Sequence, residues 1–248
     1  MNIDSQELQH VQQTAAAQAA ARYDIYAPVH KALRALMADT LLALGRMDTS
    51  DELELFQTAQ RVFELLEFCG SHLKHENQFI HTAMQARAPG SSERIAGEHV
   101  EHDQHIQQLS AMAGALFKTP VAQRAGAVHA LYQQLSLFVA HNFEHMQHEE
   151  TVHNAVLWAH YSDAELAGIE GALVASIPPD EMMVCLRWMV PFMNPAERTT
   201  MLAGMLAHAP APAFAAAMDT VRPHLTDAEW AKLTRSLGLA AVPGLVQA

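Results

Sequence analysis

Apolar side chains recur every three or four residues along most of the chain, and this spacing predicts amphipathic helices rather than strands. Four long segments show the pattern: residues 28–45, 49–88, 91–117 and 120–160. Thr49 to Glu52 has the form of a capping box for the second helix, and Thr119 with Pro120 predicts the start of the fourth. Because the connections are short, consecutive helices should be antiparallel neighbours. We therefore predict an all-α fold that begins with an up-down-up-down four-helix bundle.

The helical pattern changes after Tyr161, where capping boxes and prolines become closely spaced. Ser162, Asn194 and Thr226 each precede a glutamate by three residues, which indicates three helix starts. We expect four or five shorter helices here. The predicted domains are an N-terminal extension rich in Ala and Gln, a four-helix bundle and a smaller helical C-terminal domain, over residues 1–22, 23–161 and 162–248.

Composition and charge narrow the classes of partner. Half of the 248 residues are apolar, which is enough for a well-filled core without disulfides. The formal net charge is -12 and no basic cluster is present, which argues against nucleic acid or an anionic membrane as partner. The N-terminus lacks the pattern of a signal peptide, and the two cysteines are far apart in sequence. These features favour a cytoplasmic protein that does not enter membranes.

A repeated constellation of histidine and glutamate is the strongest chemical signal. His72 and Glu76 lie four residues apart, as do His145 and Glu149, so each pair should share one face of its helix. A further histidine precedes each pair, and the whole trio recurs after 72 or 73 residues. In an antiparallel bundle the two trios fall in one layer. The candidate metal ligands are His30, His72, Glu76, His102, His145 and Glu149.

This donor set indicates a metal centre. Imidazole nitrogens and carboxylate oxygens suit iron, manganese or zinc, and six residues exceed the needs of one tetrahedral ion. Two cations would leave open positions for water or a small molecule. A bundle with no metal would bury these side chains at a cost of several kcal/mol each. The ferritin arrangement is disfavoured, because Glu-x-x-His occurs only at Glu7–His10 and Glu150–His153.

Some assignments stay open at this stage. His99 and His105 flank His102 at three-residue spacing and would replace it if the register of the third helix were shifted. Glu150 competes with Glu149 as the ligand on the fourth helix, although the internal repeat favours Glu149. The remaining histidines of the bundle are expected at the surface or behind the ligands: His75, His81, His141, His148 and His153.

The six residues resemble the pattern of the hemerythrin-like, HHE cation-binding family, over roughly residues 24–160. The resemblance implies a non-heme di-iron centre that binds or senses oxygen or nitric oxide. Two departures stand out. Oxygen-carrying members have a second histidine four residues after the one on the third helix, where this chain has Ile106. They also place an aspartate five residues after the last histidine, a spacing that Glu150 fills here.

Three functions remain as hypotheses. The first is a non-catalytic module with two iron ions that binds oxygen or nitric oxide, its C-terminal helices relaying the metal state to a homodimer or protein partner. The second is a di-iron oxidoreductase acting on peroxide or nitric oxide. The third is metal storage or a structural metal site, with zinc or manganese as substitutes for iron.

Overall fold

The computed structural model describes residues 22–239. These residues form helices and contain no strand, so the predicted all-α fold class is confirmed. Most of the predicted N-terminal extension lies outside the described residues, as do residues 240–248. Within the described range, no helix is long and apolar enough to cross a membrane.

The described chain divides into two compact units. The first unit contains residues 22–27 and 47–176, and the second contains residues 28–46 and 177–239. The first long helix, α1 (Ala27–Arg46), falls almost entirely in the second unit. The predicted domain boundaries at residues 23, 161 and 162 remain a prediction.

Three long helices form the body of the first unit. They are α2 (Glu52–His75), α4 (Glu93–Leu116) and α5 (Val121–His148), and α4 packs against both of the others. Shorter helices complete the unit: α3 (Thr82–Arg87), α6 (Asn154–His160) and α7 (Asp163–Ser176). Their apolar stripes meet in a core that includes Leu65, Leu109, Leu131 and Phe138. Burial of these stripes is what aligns the polar residues at one end of the helices.

Two π-helical segments interrupt this regular pattern. One spans Glu76–His81 between α2 and α3, and the other spans Glu149–His153 between α5 and α6. Each begins at the glutamate of a His-x-x-x-Glu pair. A π-turn bonds residue i to residue i+5 and widens the helix, so it changes which side chains share a face. The helical spacing of apolar residues does not distinguish these segments from regular α-helix, so the sequence does not predict them.

A small apolar cluster lies beside the π-segments. It contains Ile25, Tyr26, Ile80, Met84, Leu157 and Leu166. Asp24 accepts hydrogen bonds from the backbone N–H groups of Tyr26 and Ala27 and from the side chain of Asn154. This cluster holds the segment before α1 against α3, α6 and α7.

Two predicted helix caps differ from the structure. Asp51 alone caps α2, accepting from the N–H groups of Leu53 and Glu54, so Thr49 to Glu52 does not form the expected box. Thr119 does not cap α5, because its hydroxyl donates to Ala115 O at the end of α4. A threonine hydroxyl bonds whichever backbone group is nearest, and here the preceding helix offers one.

The second unit joins α1 to the C-terminal helices α8 (Pro179–Met189), α9 (Pro195–His208), α10 (Ala211–Val221) and α11 (Asp227–Ser236). The predicted capping boxes at Asn194 and Thr226 are present, as is the reciprocal bonding of Ser162 and Glu165. With α7, five α-helices lie between Tyr161 and residue 239, within the expected four or five. Leu186, Val190, Leu202, Val221 and Leu233 form the core of the second unit.

Candidate metal centre

Two buried carboxylates define the centre of the candidate site. Glu76 and Glu149 are both 0% exposed, and each is the first residue of a π-segment. Their placement follows from the sequence, because each lies one helical turn after a histidine whose ring reaches its carboxylate. His72 Nε2 lies 3.1 Å from Glu76 Oε1, and His145 Nε2 lies 3.3 Å from Glu149 Oε1.

His99, on α4, lies between the two pairs. Its Nε2 is 3.4 Å from Glu76 Oε2, 3.7 Å from Glu149 Oε1 and 3.1 Å from His145 Nε2. Glu76, His99, His145 and Glu149 each offer one ligand atom, and these four atoms lie within 4.8 Å of one another. Two imidazoles and two carboxylates therefore converge on a volume suited to a metal ion.

The outer nitrogens of these rings are held by neighbouring oxygens. His145 Nδ1 donates to Glu98 Oε2 at 2.9 Å, and His99 Nδ1 donates to Asn77 Oδ1 at 2.8 Å. Oxygens behind a histidine fix both its tautomer and its ring orientation, as they do for metal-binding histidines. With both protons on Nδ1, the two Nε2 lone pairs would face each other at 3.1 Å. Such a contact requires a proton or a cation between the rings.

The electrostatics describe how the metal-free residues balance their charge. Burial favours the neutral form of His99, but contacts with Glu149 and Glu76 outweigh it and raise the pKa of His99 to about 9. The pKa of His145 is raised in the same way against burial. Burial and Glu76 oppose ionisation of Glu149, yet hydrogen bonds from His145 and His99 lower its pKa. In the metal-free protein, protons on the histidines therefore balance the negative charge of the carboxylates. A metal cation would have to displace these protons in order to bind.

Four of the six predicted ligands lie together in the first unit: His72, Glu76, His145 and Glu149. His102 is buried, with its ring 4.7 Å from that of His145, but Nδ1 of His102 has no hydrogen-bond partner. Burial, then repulsion from His145 and His99, lowers the pKa of His102 to about 3. The ring nitrogen that reaches the carboxylates from α4 belongs to His99. His102 as a ligand remains a prediction.

The other assignments are placed as follows. His30 is 0% exposed near the start of α1, which belongs to the second unit. Its place in the ligand set rests on the sequence repeat. Glu150 is half-buried, whereas Glu149 is the carboxylate against His145. Ile106 is half-buried, and its Cδ1 lies 4.0 Å from the position that a Cβ on Gly70 would take.

Two buried histidines were not expected in the site. His81 and His153 are 5% and 0% exposed, and each offers a ligand atom close to Glu149. The internal repeat contains the signal that could have found them, because they are 72 residues apart, one less than His72 and His145. For His81, regular α-helical geometry hid this signal, because it turns a residue five positions after Glu76 away from the carboxylate and the π-turn turns it back. His153 lies four positions after Glu149, a spacing that already places it on the face of that carboxylate.

The comparison with known families agrees with this geometry. The model of the hemerythrin HHE cation binding domain matches residues 22–157. The chain belongs to this family, as the resemblance stated from its histidine and glutamate pattern had implied. The protein is therefore a metal-binding member of the hemerythrin HHE family. Comparison with curated proteins gives no significant match.

The residues fit the metal ion that this family implies. Two fully buried carboxylates, three imidazoles around them and fixed tautomers at His99 and His145 give a donor set that a metal ion can bind. Hard oxygens combined with borderline nitrogens suit a divalent first-row ion better than calcium or copper(I).

Proposed function

We propose that the protein holds two iron ions and binds or senses oxygen or nitric oxide. One observation carries the proposal: the Nε2 atoms of His99 and His145 face each other at 3.1 Å beside the buried carboxylates of Glu76 and Glu149. A cation at this point would be coordinated by two imidazole nitrogens, of His99 and His145, and two carboxylate oxygens, of Glu76 and Glu149. Two shared carboxylates suit a pair of ions better than a single one.

The proposed ligands follow the two halves of the repeat. Glu76 and Glu149 would supply the carboxylate ligands of the two ions, and His72 and the sequence-derived His30 would supply imidazoles from the first half of the repeat. From the second half, His145 would supply an imidazole together with His99, or with His102 as the repeat predicts. This ligand set has one histidine fewer than that of the oxygen carriers, because Ile106 stands where they have a second histidine on the third helix. Coordination positions on the metal therefore stay open for a small molecule. Iron with such open positions supplies the capacity to bind a diatomic ligand.

The surroundings would protect such a ligand from bulk water. Tyr26 is 0% exposed and its hydroxyl lies 3.2 Å from His153 Nδ1, beside the apolar cluster of Ile25, Ile80 and Leu157. Burial, then the charges of Glu149 and Glu76, raises the pKa of Tyr26, so it stays neutral. A neutral hydroxyl in an apolar wall favours a small uncharged ligand over an anion.

Anaerobic reconstitution tests this function. Metal-free protein is loaded with ferrous iron, its iron content is measured, and oxygen or nitric oxide is then added while the optical spectrum is followed. We expect about two irons per chain and a spectral change that reverses when the gas is removed. Glu149→Ala is the matched control and should give no such change.

Each other result points to a different function. Turnover of peroxide or nitric oxide with an electron donor would identify the oxidoreductase of the second hypothesis. Tight metal that ignores both gases would identify storage or a structural site. An intact fold with no bound metal would overturn the proposal.

The remaining expectations concern compartment and partners. Cys69 and Cys185 are buried free thiols, and burial raises the pKa of each to about 12. Unreactive thiols and no disulfide between them suit the reducing cytoplasm, where we propose the protein acts. We further propose that the C-terminal helices mediate a homodimer or a protein contact. Light scattering of the full chain with and without iron would test this.

A further inference from the structure

His81 and His153 lie outside the proposed ligand set but share its burial. They are 5% and 0% exposed, and the HHE motif residues of the repeat do not include them. Neither ring nitrogen of His81 has a hydrogen-bond partner, and neither does Nε2 of His153. A buried polar nitrogen with no partner loses its hydration without compensation, which destabilises the folded state. Three such atoms at one place call for a ligand.

Their orientation places one nitrogen of each ring close to one carboxylate. His81, His153 and Glu149 each offer one ligand atom, and the three atoms lie within 4.8 Å of one another. The ring of His81 stacks on His99 with centroids 4.9 Å apart, and meets the ring of His153 edge-on at 5.5 Å. Tyr26 Oη lies 3.2 Å from His153 Nδ1, which leaves His153 Nε2 facing the group. Packing and one hydrogen bond therefore hold the two rings in place.

Both π-segments contribute to this arrangement. Glu149 and His153 are the first and last residues of one segment, and His81 is the last residue of the other. A π-turn sacrifices regular helical hydrogen bonding and is found frequently at functional sites. At Glu76–His81 the wider turn brings His81 back to the face that carries Glu76. Two π-segments at the same level indicate that the position of these histidines matters.

We propose that His81, His153 and Glu149 form a third cation position beside the two-ion centre. The proposal rests on the proposed function, because Glu149 would belong to both. Two histidines and one carboxylate with open positions are a donor set typical of ferrous iron, and manganese, cobalt or zinc would also bind.

The third position should be the weakest of the three. Glu76 and Glu149 are the carboxylates within reach, so a third divalent ion would be repelled by the first two. Filling is then sequential, with the third ion bound at least tenfold more weakly. It would exchange with solution while the first two remain in place.

Cobalt(II) titration of the metal-free full chain under anaerobic conditions tests this position. Cobalt is divalent, reports its ligands through visible absorption, and needs no reaction with oxygen. The wild-type chain should take up three equivalents by calorimetry and metal analysis. His81→Gln and His153→Gln, singly and together, should take up two, and their spectra at two equivalents should match the wild type. His129→Gln, an exposed histidine on α5, should still take up three.

Nitrogen-15 NMR of wild-type protein labelled at histidine gives a readout that does not depend on folding of the variants. With zinc, the third equivalent should shift the signals of His81 and His153 while those of His72, His99 and His145 have already moved.

The outcomes separate this inference from the proposed function. A wild-type chain that stops at two ions, with no third step in the NMR titration, overturns the third position and leaves the two-ion centre intact. Variants that lose both strong ions would show that His81 and His153 serve the two-ion centre, which also overturns it. A wild-type chain that binds no ion overturns the proposed function itself.

Discussion

Each unit of the molecule buries a polar cluster, and the two clusters are completed in different ways. In the second unit, Arg198 is 5% exposed and donates to Val190 O at 2.7 Å, to Pro191 O and to Glu229 Oε1 at 2.9 Å. The chain itself satisfies this guanidinium. In the first unit, the buried rings of His81, His102 and His153 keep nitrogens with no hydrogen-bond partner.

The difference shows that burial of polar groups alone does not mark a functional site. Arg198, on α9, connects the end of α8 to α11 through hydrogen bonds. Because its acceptors are backbone carbonyls and a surface glutamate, we infer a structural role for this side chain. The histidine cluster gathers two buried carboxylates around rings of His81, His102 and His153 whose nitrogens lack a hydrogen-bond partner, and a cation or protons from outside the chain would satisfy those nitrogens. The two clusters therefore differ in where their partners come from: the chain supplies the hydrogen-bond acceptors of Arg198, whereas the histidine cluster needs a cation or protons from solution.

The largest expected effect comes from removing the shared carboxylate. Glu149→Ala should abolish most metal binding, because the residue contacts His145 and belongs to each group of ligands in the first unit. Glu150→Ala, at a half-buried neighbour, should retain nearly all of it. Metal analysis after dialysis measures both. The reverse order would transfer the role to Glu150 and break the contrast between the two clusters.

The second prediction concerns which histidine of α4 binds the metal. His99→Gln should weaken metal binding by about 100-fold, because His99 Nε2 lies near both carboxylates and the variant removes this imidazole from the ligand set. His102→Gln should weaken it much less, since its ring packs on His145 and Phe138. Competition with a chelator of known affinity gives both values. A larger loss from His102→Gln would support the ligand set derived from the repeat.

The contrast can also be sharpened from the second unit. Arg198→Met keeps the length of the side chain but removes the guanidinium that donates to Val190 O and Pro191 O, and Val190 O keeps only its bond from Met193 N–H at 3.4 Å. This change should destabilise the second unit by about 1–2 kcal/mol. Metal uptake should stay unchanged. Arg222→Met, which breaks a partly exposed pair with Asp227, should cost less than about 1 kcal/mol. Urea unfolding followed by circular dichroism measures these losses; metal loss in Arg198→Met would mean that the clusters are not independent.

The parts of the fold that depend on spacing could be predicted from the sequence. Helical periodicity located α1, α2, α4 and α5, and the i to i+4 rule paired His72 with Glu76 and His145 with Glu149. The repeated pattern of histidine and glutamate also indicates the hemerythrin HHE family, which the family model confirms.

The remaining parts depend on events that spacing does not encode. His81 comes into the site through a π-turn, and no local composition distinguishes that segment from an ordinary helix. His99 and His102 differ by one register step on α4, which only the packing of α4 on its neighbours decides. Likewise, the hydroxyl of Thr119 donates to a backbone carbonyl of the preceding helix and therefore does not cap the next one. Tertiary context overrides a local rule in each case.

The smallest expected effect tests how the fold orients a ligand. Glu98 Oε2 accepts from His145 Nδ1 at 2.9 Å, and Arg94 Nε donates to Glu98 Oε1 at 3.0 Å. Partial burial opposes ionisation of Glu98, but hydrogen bonds from His145 and Arg94 lower its pKa, so the carboxylate is charged at neutral pH. Removing such a residue behind a ligand weakens metal binding by about 10- to 100-fold. Glu98→Ala should lie in this range.

Glu98→Gln keeps an oxygen acceptor and should lose less than Glu98→Ala, because the ring orientation survives while the negative charge does not. Arg94→Gln alters the exposed end of the same chain of contacts and should leave affinity nearly unchanged. Chelator competition ranks the three variants, and the proton NMR signal of His145 Nδ1 reports whether the hydrogen bond persists. If Glu98→Ala binds metal as tightly as the wild type, the helix alone orients His145. The outer oxygens would then, like the acceptors of Arg198, contribute to folding rather than to the metal centre.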